Sequence, residues 1–368
     1  MSNVSTQSAT KALEGVVDPT FDKPMLQIGT IRDVGAEGGK VSLTAQLSSP
    51  SEEVKAAVDE RIRAALADAG AGEVEISWDV QVPTREVMGD DPIPGVKNIV
   101  LVMSGKGGVG KSTVAVNLTL ALKRMGVPVG LLDADIYGPS IPTMMGIQGH
   151  PRSEDGKRIK PLERFGVKMM SIGFLMEDPK TAIVWRGPML HGALNQFLAD
   201  VDWGDLDYLI LDLPPGTGDV ALTLAQRLKV TGAVMVTTPQ EVALQDVYKG
   251  VNMCKRLNIP ILGVVENMSY FLDTAGVRHE LFGKGGGEKV AGFAEAPLLG
   301  QVPMETAVRE HGDEGTPIVQ AAPGTGAGRA FMDIADTLSR RIAVEHFVRG
   351  GGEQVPGTEG PKRLRILR

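Results

Sequence analysis

Apolar positions along the 368-residue chain change their spacing near residue 98, and that change separates two kinds of structure. Before it, residues 25–31 and 41–47 read as short strands separated by the turn-rich Gly35-Ala36-Glu37-Gly38-Gly39. Ser49, Pro50 and Glu52 then fit the N-cap, first and third positions of a helix, and Val54, Val58, Ile62 and Leu66 recur at helical spacing. Residues 74–82 read as another strand, so 1–88 are expected to form a small α+β domain. Proline and glycine punctuate Gly89-Asp90-Asp91-Pro92-Ile93-Pro94-Gly95, which suits a linker over 89–98.

Beyond the linker, short apolar runs alternate with helical stretches. Strands are predicted at 99–103, 129–132, 208–213, 233–236, 261–265 and 298–302, several of them apolar on both faces, as strands of a covered parallel sheet are. Helices are predicted over 111–125, carrying Val114, Leu118, Ala121, Leu122 and Met125, and over 240–257. Phe331, Ile334, Ala335, Leu338 and Ile342 mark a further amphipathic helix. The pattern predicts a doubly wound, mostly parallel α/β domain over 99–348 and a flexible tail over 349–368, which ends in the basic Lys362-Arg363-Leu364-Arg365.

Composition narrows the class. With 38 Lys and Arg against 45 Asp and Glu, the formal charge of −7 argues against a general polyanion binder, and no nucleic-acid partner is expected. No run approaches the ~18 apolar residues that span a bilayer, and Met1 to Thr10 are polar, so a cytoplasmic protein without membrane attachment is expected. The single cysteine, Cys254, rules out an intrachain disulfide or a thiolate set from one chain. It falls in the apolar part of the 240–257 helix, where a core thiol is expected. His150, His191, His311 and His346 are scattered, with no metal-ligand spacing.

The chemistry is concentrated after the first strand of the larger domain. Gly105-Lys106-Gly107-Gly108-Val109-Gly110-Lys111-Ser112 matches G-x-x-x-x-G-K-S between a predicted strand and a predicted helix, the context that a phosphate-binding loop requires. Its glycines let the backbone wrap a phosphate with N–H groups pointing inward, and the helix N-terminus adds its positive end. Lys111 is expected at the β and γ phosphates, the Ser112 hydroxyl on Mg²⁺, and Thr113 beside them. Asp133 and Asp135 follow a strand and so lie near the carboxyl edge of the sheet, where ligands bind. Asp212 ends a second apolar strand and is expected to hold Mg²⁺, and the loop Pro214-Pro215-Gly216-Thr217-Gly218-Asp219 can change shape when the γ-phosphate leaves. Asn267, after a third strand, can meet the adenine edge or simply cap the next turn.

Lys106 departs from an ordinary phosphate loop, and here the sequence resembles the deviant Walker A group that includes MinD, ParA, the nitrogenase iron protein and the arsenite-pump ATPase. In that group this lysine reaches the partner subunit's nucleotide, so the resemblance implies an ATP-linked homodimer; the less favoured alternative for Lys106 is a solvated lysine in a polar loop. The resemblance also implies that Asp135 orients or deprotonates the attacking water.

Four stretches carry a narrower resemblance. Asp135-Ile136-Tyr137-Gly138-Pro139-Ser140, Trp185-Arg186-Gly187-Pro188-Met189, Leu213-Pro214-Pro215-Gly216-Thr217-Gly218-Asp219 and Glu266-Asn267-Met268-Ser269-Tyr270-Phe271 are similar to the Mrp (ApbC) iron–sulfur cluster carriers, and the N-terminal part, with Val17-Asp18-Pro19, is similar to their SufT-like domain. This implies a slow ATPase, with ATP and Mg²⁺ as cofactors, that carries or loads [4Fe-4S] clusters for client apoproteins. The chain departs from the family in lacking the C-x-x-C pair after the Asn-Met-Ser-Tyr-Phe segment. Asp273, His279 and Glu280 stand there instead, read as a solvated loop, because hard oxygen and imidazole donors replace thiolates poorly around an iron–sulfur cluster. A resident cluster is therefore not expected, and a cysteine-bearing assembly partner is. The alternative is a MinD- or ParA-like positioning switch, which would favour a membrane-binding helix or a basic strip.

Overall fold

A computed structural model describes residues 4–135, 138–153, 156, 158–175, 187–216, 218–353 and 355. The chain forms two compact units, Met1–Thr84 with Ser339–Arg368, and Arg85–Leu338.

In the first unit α1 (Thr6–Leu13) and α2 (Met25–Ile28) precede β1 (Ile31–Glu37) and β2 (Lys40–Leu47), and α3 (Glu52–Asp68) crosses to β3 (Glu73–Val80). The sheet order is β1-β2-β3, the first pair antiparallel and the second parallel. Val54, Val58, Ile62 and Leu66 of α3 are buried against Val41, Leu43, Ala45 and Leu47, as the helical spacing predicts. Residues 25–31 are not one strand. Met25 and Ile28 are both buried, and positions three apart share a face in a helix but point oppositely in a strand. Gly29 takes φ +82° to end the helical turn, and the Thr30 N–H closes onto the Met25 carbonyl at 2.9 Å. The cap of α3 is Ser51 rather than Ser49: its hydroxyl accepts the Val54 N–H at 3.2 Å, which leaves Glu52 and Glu53 near the positive helix end.

The larger unit holds β4 (Val96–Ser104), β5 (Val129–Asp133), β6 (Leu162–Arg164), β7 (Val167–Ser171), β8 (Leu206–Asp212), β9 (Gly232–Thr237), β10 (Ile261–Glu266) and β13 (Leu298–Gln301) in one sheet. Its order is β13-β10-β9-β4-β8-β5-β7-β6, and every pair is parallel except β6 with β7. All six predicted strands belong to it. The hairpin β6-β7 is additional; it turns on Phe165 and Gly166, both at positive φ (54° and 71°), and lacks the Asn-Gly or Asp-Gly signal of such turns.

The α-helices that follow α3 are α4 (Lys111–Arg124), α5 (Ile141–Met144), α6 (Gly187–Ala199), α7 (Gly218–Arg227), α8 (Glu241–Arg256), α9 (Gly286–Ala294), α10 (Thr306–Asp313), α11 (Ile318–Ala321) and α12 (Gly326–Arg349). Helix α4 is not one-sided: nine consecutive residues from Val114 to Leu122 are buried, as befits a helix enclosed in the core.

The boundaries differ from those expected. Segment 89–98 belongs to the larger unit: β4 starts at Val96, and Asp91 is ion-paired with Arg85, their side chains only 1% and 2% exposed. The Arg85 guanidinium also donates to the carbonyls of Val96 and Ile93, so this stretch is tied down. At the other end the division between units falls inside α12, after Leu338. Of the expected tail, 354 and 356–368 lie outside the described residues, and Val355 is buried with Ile28 and Phe347, its N–H bonded to the Ile28 carbonyl at 3.0 Å.

Candidate functional site

The carboxyl ends of β4, β5 and β8 converge on the N-terminus of α4. Gly110 caps that helix at φ +83°, a conformation that a Cβ would strain, and an added Cβ would also lie 2.1 Å from Asn267 Nδ2. Gly105 packs so tightly against α8 that its Cβ would lie 2.2 Å from backbone atoms of Asp246 and Val247. The loop 105–112 therefore follows a path that glycine permits.

Lys111 is buried, 6% exposed, with Nζ 2.5 Å from Asp212 Oδ1 and 3.6 Å from Asp135 Oδ2. The Ser112 hydroxyl donates to Asp212 Oδ2 at 2.5 Å. Asp133 lies in register with Asp212 on β8 and Ser171 on β7; its Oδ2 accepts the Ser171 hydroxyl at 2.9 Å and its Oδ1 the Asp135 N–H at 3.1 Å. Burial, reinforced by the Asp212 charge, pushes the Asp133 carboxyl up to about 8. Burial also raises Asp212, against the opposing pull of Lys111. Two carboxylates, Asp212 and Asp135, thus flank the ammonium group, and the buried Asp133 carboxyl stands beside Asp212 in the neighbouring strand. The Ser112 hydroxyl and the Asp212 carboxylate are hard oxygen donors at a helix N-terminus, a donor set that fits Mg²⁺ beside a phosphate chain.

This constellation opens into a cleft of 740 Å³. Its lining includes Ser104, Lys106, Gly107, Gly108, Gly110, Lys111, Ser112, Thr113 and Asp135, together with Asn267, Met268, Pro303, Met304, Val308 and Arg309. Gly105 and Val109, of the same loop, do not line the cleft. Asn267 is buried, and its amide donates to the Val109 carbonyl at 2.9 Å, so it braces the phosphate loop directly. Lys106 is exposed at the rim and forms no ion pair among the described residues. Sequence reading missed Thr143, Met144, Val308 and Arg309; only Pro303 and Met304, just past the carboxyl end of β13, carry a positional signal.

Ile136, Tyr137, Trp185, Arg186 and Thr217 lie outside the described residues, as do the side chains of Pro188, Met189, His191 and Asp219. The stretch around Asp273 and His279 is a hairpin rather than a plain loop, β11 (Phe271–Leu272) with β12 (Arg278–His279), and Asp273 pairs with His279 at 2.8 Å. It is exposed, as expected, and among the described residues no group of three or more His, Cys, Asp or Glu could hold a metal ion. Cys254 is buried, its thiol 3.7 Å from Met103 Sδ and pushed up to about 11 by burial. Even a dimer would offer only two such thiols, so this chain does not fit the four-thiolate set of a resident [4Fe-4S] cluster. Among the described residues no helix is long and apolar enough to cross a membrane.

Residues 95–339 match the family described as "NUBPL iron-transfer P-loop NTPase" (ParA), and residues 6–78 match "Iron-sulfur cluster assembly protein". The chain is 44% identical, over 94% of its length and 100% of the relative's, to the "Iron-sulfur cluster carrier protein" of Synechocystis. It is 45% identical, over 71% of its length and 83% of the relative's, to the "Iron-sulfur cluster transfer protein NUBPL" of Mus musculus. A nucleotide-binding protein from Archaeoglobus fulgidus, solved in complex with ADP, is similar at 38% identity and a TM-score of 0.54, over 62% of this chain and 92% of that one. The larger unit is thus a P-loop ATPase fold, and the chain belongs to the Mrp/NUBPL family of iron-transfer P-loop ATPases, with the family's small assembly domain preceding it.

Proposed function

We propose that this chain hydrolyses ATP slowly to drive the transfer of iron–sulfur clusters to apoproteins, the cluster being cargo held by the thiolates of a separate partner. The observation that supports this most is the contrast between a cleft lined by Lys111, Ser112 and Asp135 and a chain whose single thiol is buried and protonated. Lys111 takes the β and γ phosphates, Ser112 and Asp212 hold Mg²⁺, and Asp135, beside Lys111, positions or deprotonates the attacking water. Gly105, Gly107, Gly108, Val109, Gly110 and Thr113 shape the loop around the phosphates. Mg²⁺ supplies charge neutralisation of the triphosphate. Asn267 acts first on the loop, through Val109, and its contact with adenine is a second role for the same amide. A cytoplasmic setting agrees with this reading.

Lys106 is exposed at the cleft rim, where a second copy could receive it, so we assign it to the partner's phosphates in an ATP-linked homodimer. Lys106→Ala is expected to leave ATP affinity within about threefold while lowering turnover on the order of 10²-fold, by loss of one preorganised cation. Equal turnover of wild type and variant at saturating Mg-ATP would remove the crossing lysine from the account.

The function itself is tested by transfer from a cluster-loaded, cysteine-bearing scaffold to an apoprotein. Transfer is expected to accelerate when this chain and Mg-ATP are both present, and not with the chain and ADP. Acceleration independent of nucleotide would contradict an ATP-driven role.

A further inference from the structure

Ser171, Asp133 and Asp212 form one register row across β7, β5 and β8, all fully buried, at the edge of the sheet facing the nucleotide cleft. We propose that Ser171 is a positioning residue for Asp135, acting through Asp133; the proposal rests on the reading of Asp135 as the group that positions water.

An aspartate's terminal torsion is soft, so one hydrogen bond leaves the carboxylate free to swing. Asp133 has both oxygens occupied. Oδ1 accepts the Asp135 N–H at 3.1 Å, and Oδ2 accepts the Ser171 hydroxyl at 2.9 Å from the neighbouring strand. Ser171 is fixed in turn, because its Oγ accepts the Gly173 N–H at 3.0 Å, where the chain turns from β7 into the short helical turn 172–175. The chain of bonds Gly173, Ser171, Asp133, Asp135 therefore sets where the backbone leaves β5, and with it the carboxylate that lies 3.6 Å from Lys111 Nζ. Ser171 has no place on the cleft wall itself, so its effect is on geometry and not on nucleotide contact. Misplacing a reacting group by about 1 Å costs on the order of 10²-fold in rate, whereas binding of the triphosphate by Lys111 and the loop needs no Ser171 hydroxyl.

The test is steady-state ATP hydrolysis by the full-length protein, with Mg-ATP affinity measured separately. Ser171→Ala is expected to lower kcat roughly 10- to 100-fold with KM within about twofold. Ser171→Thr, which keeps the hydroxyl, is expected to recover turnover to within about threefold of wild type, and Ser171→Cys, a weak donor of similar volume, to fall between. Added to Asp135→Asn, Ser171→Ala is expected to cost nothing further, because the group it positions is already disabled. Wild-type turnover in Ser171→Ala beside an inactive Asp135→Asn overturns the positioning role alone, and normal turnover in Asp135→Asn overturns the reading beneath it as well. A rise in KM matching the fall in kcat, or no recovery with threonine, also overturns it. Should Ser171→Ala fail to fold, Ser171→Cys carries the test, and wild-type turnover there overturns the proposal.

Discussion

Replacing Lys111 by alanine is expected to lower ATP turnover on the order of 10²–10³-fold and to weaken nucleotide binding at the same time. The size follows from what surrounds the ammonium group. It sits between Asp212 and Asp135, with Asp133 close behind, and is the cation buried among them. Without it the cleft presents acids to a triphosphate, so the variant loses an attraction and exposes a repulsion. The same loss leaves buried Asp212 without its ionic partner, which is expected to destabilise the nucleotide-free protein at neutral pH. Calorimetry with Mg-ATP and phosphate release measure the two effects. Unchanged affinity together with unchanged hydrolysis would place the nucleotide elsewhere.

The largest expected effect on stability comes from Gly105→Ala. Its Cβ would fall 2.2 Å from the Asp246 carbonyl carbon and the Val247 nitrogen, and these are backbone atoms of α8 that cannot rotate away. Val247 belongs to the core, so relief requires moving either the helix or the phosphate loop. Overpacking of this kind costs about 3 kcal/mol or more, or roughly 6–12 °C in Tm for a unit of this size. Gly107→Ala, two residues along the same loop, meets nothing within 4 Å and is expected to stay within about 0.5 kcal/mol. Thermal unfolding of both variants checks the contrast, and equal melting temperatures would show that the loop does not pack on α8 as described.

How legible the molecule was depended on how local each determinant is. The phosphate loop is contiguous with its flanking strand and helix, Asp133 and Asp212 each directly end their own apolar run, and periodicity set by burial revealed six strands of the large sheet and the core face of α3. What escaped is decided by tertiary partners. The 25–28 turn depends on both Met25 and Ile28 finding the same core, and β6-β7 turns through a phenylalanine at positive φ. The proline-rich segment 89–98 resembles a linker by composition, yet the Arg85–Asp91 pair folds it into the larger unit. In the site, Asp133 and Ser171 are 38 residues apart in sequence and meet only because β5 and β7 are neighbours. Val308 and Arg309 reach the cleft from α10, a helix with no nucleotide motif of its own. The link from Asn267 to Val109 spans 158 positions and appears only once β10 has brought its end to the loop.

On the proposed reading, the nucleotide machinery of this family works here without a cluster-holding site in the same chain. Iron and sulfide analysis, with a visible absorption spectrum, after anaerobic reconstitution of the full-length protein tests it most directly. Little bound iron or sulfide is expected after desalting, with no broad visible absorption of a [4Fe-4S] centre and no change in Cys254→Ser, because that thiol is buried and held protonated. Near-stoichiometric iron and sulfide, with a [4Fe-4S] spectrum that disappears in Cys254→Ser, would contradict it.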